Sequence, residues 1–168
     1  MLIRAPRDDD FAAIAEITNH YITTTPIHFA YEPVLASDLQ AAWAADRARY
    51  PWQVAADDTG RVLAFAKAGS YRERAAYAWT TETAVYVHPD ARGRGVGRAV
   101  YTPLLAEVAA RGFRSAIAGI VVPNDASIGL HRALGFVSVG IVREAGFKLG
   151  GWHDIEFMQK LFSAASGS

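Results

Sequence analysis

Cysteine is absent from the 168-residue chain, and no run of apolar residues is long enough to form a membrane helix. The lack of cysteine excludes disulfide scaffolds, thiolate zinc sites, cysteine nucleophiles and dithiol redox chemistry. The 17 acidic side chains balance 17 lysines and arginines, and no long basic run is present. This balance argues against nucleic acid and against an anionic membrane surface as binding partners.

The sequence shows no recognisable targeting segment. It turns acidic at Asp8–Asp10 before any apolar stretch of signal-peptide length, so we expect a cytoplasmic protein. With 51% hydrophobic and 20% charged residues, the chain can bury a core of ordinary size. The prediction is a single domain over residues 1–162, followed by a frayed tail of small residues at 163–168.

Apolar periodicity predicts an α+β domain with the order β-α-α-β-β-β-α-β-α-β-β, a mixed sheet flanked by helices. The β-branched segment Ile22–Thr25, followed by a proline, predicts a loop after the first helix. Ser37 has the spacing of a capping box at the start of the second helix. The last two strands are expected at Phe136–Arg143 and His153–Leu161.

A glycine-rich turn, Arg92–Gly97, connects a predicted strand to a predicted helix. Its glycines permit a tight turn and close approach of a ligand, and amides at a helix start favour phosphate oxygens. A dinucleotide fingerprint fails because Arg98 or Val100 occupies its last position, and a nucleoside-triphosphate loop fails because Gly97 is not followed by Lys. An ordinary glycine-rich connection is the alternative.

Two segments resemble motifs of the GNAT superfamily of acyl-CoA-dependent N-acetyltransferases. Val85–Gly97 is similar to its fourth strand and pyrophosphate loop, and Asn124–Phe136 is similar to its later Asn…Gly-Phe motif. The resemblance implies a GNAT-like, mostly antiparallel sheet, and acetyl-CoA as co-substrate without a metal. Asn124 could hold the pantetheine amide, cap the following helix, or do both. The cofactor-binding residues that we infer are Val85, Tyr86, Val87, Arg92, Gly93, Arg94, Gly95, Val96, Gly97, Arg98 and Asn124.

Within that superfamily, the chain resembles phosphinothricin N-acetyltransferases from about Leu2 to Phe162. The resemblance implies direct acetyl transfer to the free amine of a small amino acid, such as phosphinothricin or methionine sulfoximine, and a homodimer. The alternatives are acetylation of another amine (protein N-terminus, polyamine or aminoglycoside) and a non-catalytic acyl-CoA sensor. The segments that carry the resemblance are Asn19–Ile22, Arg49–Trp52, Ala76–Glu82, Ala145–Lys148 and Gly151–Asp154.

Two residues are candidates for the catalytic chemistry. Glu82, which shares a strand face with Ala84 and Tyr86, matches the base of the similar enzymes and could act directly or through a water. The alternative interpretation is that Glu82 is a solvent-facing strand residue without a catalytic role. His131 falls where most GNAT members have a tyrosine and could protonate the leaving thiolate or orient another group. Backbone N–H groups near Tyr86 or Val87 are expected to stabilise the oxyanion.

The resemblance also implies a set of substrate-binding residues. Arg72 and Arg74 could bind carboxylate or phosphinate oxygens, although Arg72 replaces a lysine of the similar enzymes and thereby changes reach and geometry. A solvated loop is the alternative for both. The adjacent His153 and Asp154 are interpreted as a structural hydrogen-bonded pair, and no histidine has metal-ligand spacing. The substrate-binding set is Phe29, Arg72, Arg74, Tyr77 and Tyr86.

Overall fold

The computed structural model describes residues 1–162, so the tail predicted at 163–168 lies outside the described residues. Within them, strands and helices follow the predicted order, β1-α1-α2-β2-β3-β4-α3-β5-α4-β6-β7. The helices are α1 (Phe11–Thr24), α2 (Ala36–Asp46), α3 (Val96–Ala110) and α4 (Asp125–Ala133). The strands are β1 (Leu2–Arg4), β2 (Trp52–Ala56), β3 (Val62–Ser70), β4 (Thr80–Val87), β5 (Ser115–Val122), β6 (Val137–Lys148) and β7 (Gly151–Leu161).

The seven strands form one sheet in the order β1-β2-β3-β4-β5-β7-β6. Every neighbouring pair is antiparallel except β4 and β5, which are parallel. Their pairing ends at Glu82 opposite Ile117, although β4 continues to Val87 and β5 to Val122. Beyond this point the strands separate, and alternate peptide groups of β4 lose their partner on that side. The middle of the sheet therefore contains an open cleft.

Helices cover both faces of the sheet, and the two-residue period of the strands divides the core between them. On one face, α3 buries Val100, Tyr101, Leu104 and Val108 completely. On the other face, α1 buries the predicted stripe. Each large aliphatic or aromatic side chain withdrawn from water contributes about 2 kcal/mol. The stripe consists of Phe11, Ile14, Ile17 and Tyr21.

The predicted loop at Ile22–Thr25 is wrong at its start, because α1 continues through Thr24. Ile22 is buried, and its burial outweighs the weak helix propensity of the β-branched residues. The hydroxyls of Thr23, Thr24 and Thr25 also donate to the carbonyls four residues earlier, at 2.8, 2.6 and 2.7 Å. These bonds satisfy both the hydroxyls and the last turn of the helix.

Two further boundary predictions need correction. Helix α2 begins at Ala36 after Leu35, whose side chain makes no capping bond, so Ser37 lies inside the first turn rather than at the cap. Strands β6 and β7 extend to Lys148 and begin at Gly151, beyond the predicted limits. A register shift between Val142 and Gly146 allows the pairing of β6 and β7 to resume beyond the irregular segment.

Candidate active site

Two cavities open next to β4, one on each side of Tyr86. The first, which we call the β3–β4 cavity, has a volume of about 400 Å³. The second, which we call the glycine-loop cavity, has a volume of about 460 Å³. The β3–β4 cavity is lined by Ala42, Asp46, Tyr50, Trp52, Lys67, Ala68, Gly69, Ser70, Glu82, Thr83, Ala84 and Tyr86. The glycine-loop cavity is lined by Tyr21, Ile27, Val85, Tyr86, Val87, Ala91, Arg92, Gly93, Gly95, Val96, Gly97, Arg98, Asn124, Ala126, Ser127 and Leu130.

A third and smaller cavity of about 50 Å³ occupies the cleft between β4 and β5. Its walls include Thr83–Tyr86 on one side and Ala118–Val121 on the other, with His131 from α4. Tyr86 lines all three cavities. The separation of the two strands thus brings the three spaces together around one residue.

Glu82 lies in the wall of the β3–β4 cavity, on the strand face predicted from the sequence. Its strand partner is Gly69, whose missing side chain leaves space in front of the carboxylate. The carboxylate is accessible to solvent, but the surrounding protein still disfavours its charge. This partial loss of hydration raises the pKa of Glu82, and the nearby ammonium of Lys67 partly offsets the rise. A carboxylate with a raised pKa is a stronger proton acceptor than an ordinary one.

Tyr86 forms the wall that the cavities share. Its ring lies 5.3 Å from the ring of Phe65 and 5.4 Å from that of Tyr21, measured between ring centroids. Burial, with a further contribution from the charge of Glu82, raises the pKa of Tyr86 to about 12. Its hydroxyl therefore stays protonated near neutral pH and is able to donate a hydrogen bond.

The glycine-rich turn forms the mouth of the glycine-loop cavity. Gly93 and Gly95 have positive φ angles of 71° and 75°, which other residues adopt only with strain. A Cβ atom on Gly97 would lie 3.2 Å from Cγ2 of Val87, so a larger residue would require the Val87 side chain to shift slightly. The first turn of α3, which begins at Val96, directs its free amides toward this space. Of the eleven predicted cofactor-binding residues, all but Arg94 line this cavity.

This chemistry suits a coenzyme A diphosphate. Backbone amides at the start of a 15-residue helix and the cation of Arg98 favour phosphate oxygens, and the small residues leave room for them. Arg92 has a different contact: its guanidinium donates to the hydroxyl of Tyr21 at 3.3 Å and lies 3.2 Å from Nε2 of His20. Arg92 therefore also ties the turn to α1.

Asn124 caps helix α4, which confirms one of its two predicted roles. Its Oδ1 accepts a hydrogen bond from the backbone N–H of Ser127 at 3.1 Å. The residue also lines the glycine-loop cavity and the cleft cavity, so contact with a bound cofactor stays a prediction compatible with the cap.

His131 is buried, with 3% of its surface exposed, between the rings of Tyr101 and Phe136. Its Nδ1 lies 2.8 Å from the carbonyl oxygen of Ser127, which can only accept, so Nδ1 carries the proton. Nε2 is buried and has no hydrogen-bond partner within residues 1–162. Burial lowers the pKa of His131, although the Ser127 carbonyl partly opposes this. The neutral imidazole therefore presents an unprotonated Nε2.

The predicted arginine pair lies on the exposed loop that follows β3. The Arg72 guanidinium stacks 5.2 Å from the ring of Tyr71 and 5.8 Å from that of Tyr77. Neither Arg72 nor Arg74 lines the β3–β4 cavity, but the loop starts immediately after Ser70, which does.

Phe29 lies in the segment between α1 and α2, with its ring against Gly146 of β6, where a Cβ atom would overlap it. The ammonium of the buried Lys148 holds this segment by donating to the carbonyls of Ile22, at 2.6 Å, and His28. Phe29 does not line the β3–β4 cavity.

His153 and Asp154 do not form the predicted hydrogen-bonded pair within the described residues. Nε2 of His153 lies 2.8 Å from the carbonyl oxygen of Lys148. Asp154 instead accepts from the side chain of Arg143 and from the backbone N–H of Glu144. Adjacent residues on a strand point to opposite faces, which separates the two side chains.

Lys67 is a charged residue of the site that the sequence analysis did not predict, as is Asp46 at the end of α2. Lys67 lines the β3–β4 cavity, and its Nζ lies 5.2 Å from the centre of the Trp52 ring. A signal was available: Lys67 is the single charge in the apolar run Val62–Ala68. Its parity along the strand places it on the face of Gly69, opposite Glu82.

Among the described residues, no helix has the length and hydropathy needed to cross a membrane. The same residues contain no group of three or more His, Asp or Glu side chains that could hold a metal ion.

A parallel strand pair that separates beside a glycine-rich helix start defines an acyl-CoA-binding acyltransferase site. The family model described as Acetyltransferase (GNAT) family matches residues 14–136. The chain belongs to this family, and it is an acetyl-CoA-dependent N-acyltransferase.

Among known relatives, the chain is 43% identical over 164 residues to the phosphinothricin N-acetyltransferase of Streptomyces viridochromogenes, covering 95% of this chain and 87% of the relative. It is 39% identical over 152 residues to the L-methionine sulfoximine/L-methionine sulfone acetyltransferase of Pseudomonas aeruginosa, covering 89% and 88%. The crystal structure of a GNAT superfamily phosphinothricin acetyltransferase from Sinorhizobium meliloti, in complex with acetyl-CoA, superposes with a TM-score of 0.93 at 33% identity, covering 98% and 90%. The mostly antiparallel GNAT-like fold predicted from the sequence is thereby confirmed.

Proposed function

We propose that the protein transfers an acetyl group directly to the α-amine of a small amino acid of the phosphinothricin or methionine sulfoximine type. The observation that carries this proposal is the pair of cavities that share Tyr86, with Glu82 in the wall of only one of them. This arrangement gives the acceptor and the acyl donor separate spaces that meet at the cleft. The relatives support the class of acceptor.

The glycine-loop cavity is the proposed site for acetyl-CoA, which supplies an acetyl group activated as a thioester. The amides of Gly93–Gly97 and the cation of Arg98 would bind its diphosphate. Asn124 would hold the pantetheine amide. The unpartnered amides of β4 near Tyr86 and Val87 would bind the thioester carbonyl oxygen, and a donor of this kind is worth about 3 kcal/mol.

Glu82 is the proposed base. An ammonium group has no lone pair, so the acceptor must lose a proton before its nitrogen can form an amide bond. The raised pKa of Glu82 and its place in the cavity wall suit it to take that proton, directly or through one water.

His131 is proposed as a hydrogen-bond acceptor that orients a reacting group. In its neutral form, Nδ1–H donates to Ser127 and Nε2 has only a lone pair to offer. This state favours the orienting role over protonation of the leaving thiolate, the two possibilities that the sequence left open.

Arg72, Arg74 and Tyr77 are proposed to bind the acidic end of the acceptor, and Tyr86, which lines the β3–β4 cavity, to enclose it. The supporting observation is continuity: Ser70 lines the β3–β4 cavity, and the loop that carries both arginines follows it directly. The exposed arginines are free to turn toward a bound carboxylate. For Phe29, which does not line this cavity, contact with the acceptor stays a prediction from the resemblance.

A homodimer is proposed from the exposed edge of the sheet. Within residues 1–162, strand β6 pairs only with β7, and it exposes Val137, Val139, Ile141 and Val142. Trp152 and Phe147 extend this apolar surface. Long apolar edge strands promote association unless they are covered, and a second copy of the chain would cover this one.

The decisive experiment is a thiol-release assay with acetyl-CoA across a panel of acceptors. We expect release of coenzyme A with phosphinothricin and methionine sulfoximine, and little with polyamines, aminoglycosides or peptides with a free N-terminus. Turnover confined to one of the latter amines would contradict the proposed acceptor. Binding of acetyl-CoA without release for any amine would indicate a sensor.

A further inference from the structure

Lys67 projects from a strand that is otherwise apolar from Val62 to Ala68. Its cross-strand partner is Ala84, and the next pair on the same face is Gly69 with Glu82. Two residues of an antiparallel strand span about 7 Å, so Lys67 and Glu82 are diagonal neighbours on the same face of the sheet. Because Ala84 and Gly69 are small, space separates the two charged side chains.

The ammonium of Lys67 has no ionic partner in the described protein. No carboxylate oxygen lies within 4.0 Å of Nζ, and its nearest aromatic neighbour is the ring of Trp52 at 5.2 Å. Burial lowers the pKa of Lys67, which Glu82 partly offsets. Asp46, the other acidic residue at this cavity, lies exposed at the end of α2. A half-buried cation without a counter-ion favours a ligand that brings one.

The charged residues at and next to the β3–β4 cavity alternate in sign along the strands. Glu82 lies between Lys67, on one side, and Ser70 with the arginine loop, on the other. An acceptor whose amine is placed at Glu82 therefore has a cation within reach in each direction. One of these cations suits the α-carboxylate, and the other suits an acid at the end of the side chain.

Building on the proposed function, we propose that Lys67 is a specificity-determining residue that binds the side-chain carboxylate or phosphinate of the acceptor. The enzyme then prefers amino acids with two anionic groups over those with a neutral side chain. The ammonium does not itself transfer a proton or the acetyl group, and its effect on the pKa of Glu82 is common to all acceptors, so it cancels in a comparison between two of them.

The test compares two acceptors that share an amine and an α-carboxylate but differ in side-chain charge. Phosphinothricin has an anionic side chain, and methionine sulfone has a neutral one. In Lys67→Met, we expect kcat/KM for phosphinothricin to fall about 10- to 100-fold, the range for a lost hydrogen bond to a charged group. For methionine sulfone, we expect a change of less than about threefold.

Lys160→Met is the matched control. Lys160 donates to the carbonyl of Leu134 at 2.7 Å and does not line the β3–β4 cavity. Its substitution by Met therefore removes the same charge at a different place. The control variant's ratio of kcat/KM values for the two acceptors should equal that of the wild type. If Lys67→Met does not fold, Lys67→Gln takes its place. The ratio is measured on one preparation and does not depend on the fraction of active enzyme.

Two failures are distinguishable. An equal loss for both acceptors in Lys67→Met would overturn the role of Lys67 in specificity while leaving the proposed function intact. A wild-type enzyme that releases no coenzyme A with either acceptor would overturn the proposed function, and the inference about Lys67 would fall with it.

Discussion

The carboxylate of Glu82 is subject to two opposing influences on its ionisation. Surrounding protein raises its pKa, while the ammonium of Lys67 stabilises the charged form. The balance determines the pH at which the base becomes available. If Glu82 is the proposed base, only its ionised form accepts a proton, so we expect activity to rise as the pH increases through the pKa of Glu82.

Glu82→Gln is expected to reduce kcat about 100- to 1,000-fold with the best acceptor, the usual contribution of a general base. The acid limb of the kcat profile, which lies above the ordinary glutamate pKa of 4.5 in the wild type, should disappear in the variant. Steady-state assays between pH 4.5 and pH 9 would measure both effects. Glu32→Gln, on an exposed segment, is the control and should behave as wild type. Unchanged turnover in Glu82→Gln across this range would disprove the assignment.

His131 shows how one contact fixes a tautomer. The Ser127 carbonyl requires a proton on Nδ1, and burial disfavours a second proton on Nε2. The unfolded chain has an ordinary histidine that binds a proton below about pH 6.5. The neutral histidine of the fold therefore lowers stability progressively as the pH falls below that value.

We predict that nitrogen NMR of the wild-type enzyme at pH 7 detects a neutral His131 with the proton on Nδ1. His131→Gln serves to assign the signal. Because burial lowers the pKa of His131, we expect the wild-type histidine to stay neutral in a titration to below pH 6.5, whereas an exposed histidine titrates near that value. A doubly protonated imidazole at pH 7 would instead support a role as acid toward the leaving thiolate.

At the scale of elements, the strand–turn–helix unit of β4 and α3 creates the proposed cofactor site. Gly95, the residue before α3, adopts a φ of 75°, and this conformation directs the chain into the helix. A side chain would meet no atom within 4 Å, so the cost of one is conformational rather than steric. Gly60, in the turn between β2 and β3, has a φ of 89° and equally open surroundings.

Gly95→Ala and Gly60→Ala form a matched pair. Both should lose about 1–2 kcal/mol of unfolding free energy, because alanine is strained in the left-handed region. Only Gly95→Ala should also raise the KM for acetyl-CoA, by about tenfold, as the amides of the turn move from their positions. Denaturant titrations and initial rates give the two quantities. An equal KM in both variants would argue against a diphosphate bound at this turn.

For the molecule as a whole, the two edges of the sheet differ in length and character. Strand β1 is a short edge of three residues, whereas β6 runs for twelve and is exposed over most of its length. The side chains of Val139 and Ile141 are 53% and 45% exposed in the single chain. A surface of this kind is unfavourable in water and favours burial against an identical edge.

Ile141→Lys is expected to convert the proposed dimer into a monomer, because it places a charge in the centre of the apolar edge. Light scattering coupled to size-exclusion chromatography would report the mass directly. Leu2→Lys, which introduces the same charge at the exposed opposite edge, should keep the dimer. A wild-type mass of one chain at micromolar concentration would contradict the homodimer.

Much of the architecture could be predicted from the pattern of residues. The element order follows from local periodicity, and the turn at Gly93–Gly97 is recognisable from composition alone. The errors lie where tertiary contacts override local preference. Ile22 is helical because it is buried, and Asp154 binds Arg143 rather than the adjacent His153.

The candidate site was predicted less completely than the fold. Glu82 and Tyr86 were placed on their common face by strand alternation. Lys67 was not predicted, because its relation to Glu82, 15 residues further along the chain, depends on the register between β3 and β4. The protonation state of His131 depends on its contact with Ser127 and on burial by Tyr101 and Phe136. The contact of His131 with Tyr101 joins α4 to α3, whereas its contacts with Ser127, within α4, and with Phe136, just after α4, are local.

The sequence by itself determined the order of strands and helices and the position of the glycine-rich turn, and it placed Glu82 and Tyr86 on one strand face. Local rules suffice for these features, because backbone sterics and apolar period act over a few residues. Only the tertiary structure decided that β4 and β5 separate after Glu82, that Lys67 faces the same cavity as Glu82, and that Tyr101 of α3 packs against the buried His131. These features arise from pairing, burial and desolvation among distant segments, and those forces exist only once the sheet has formed.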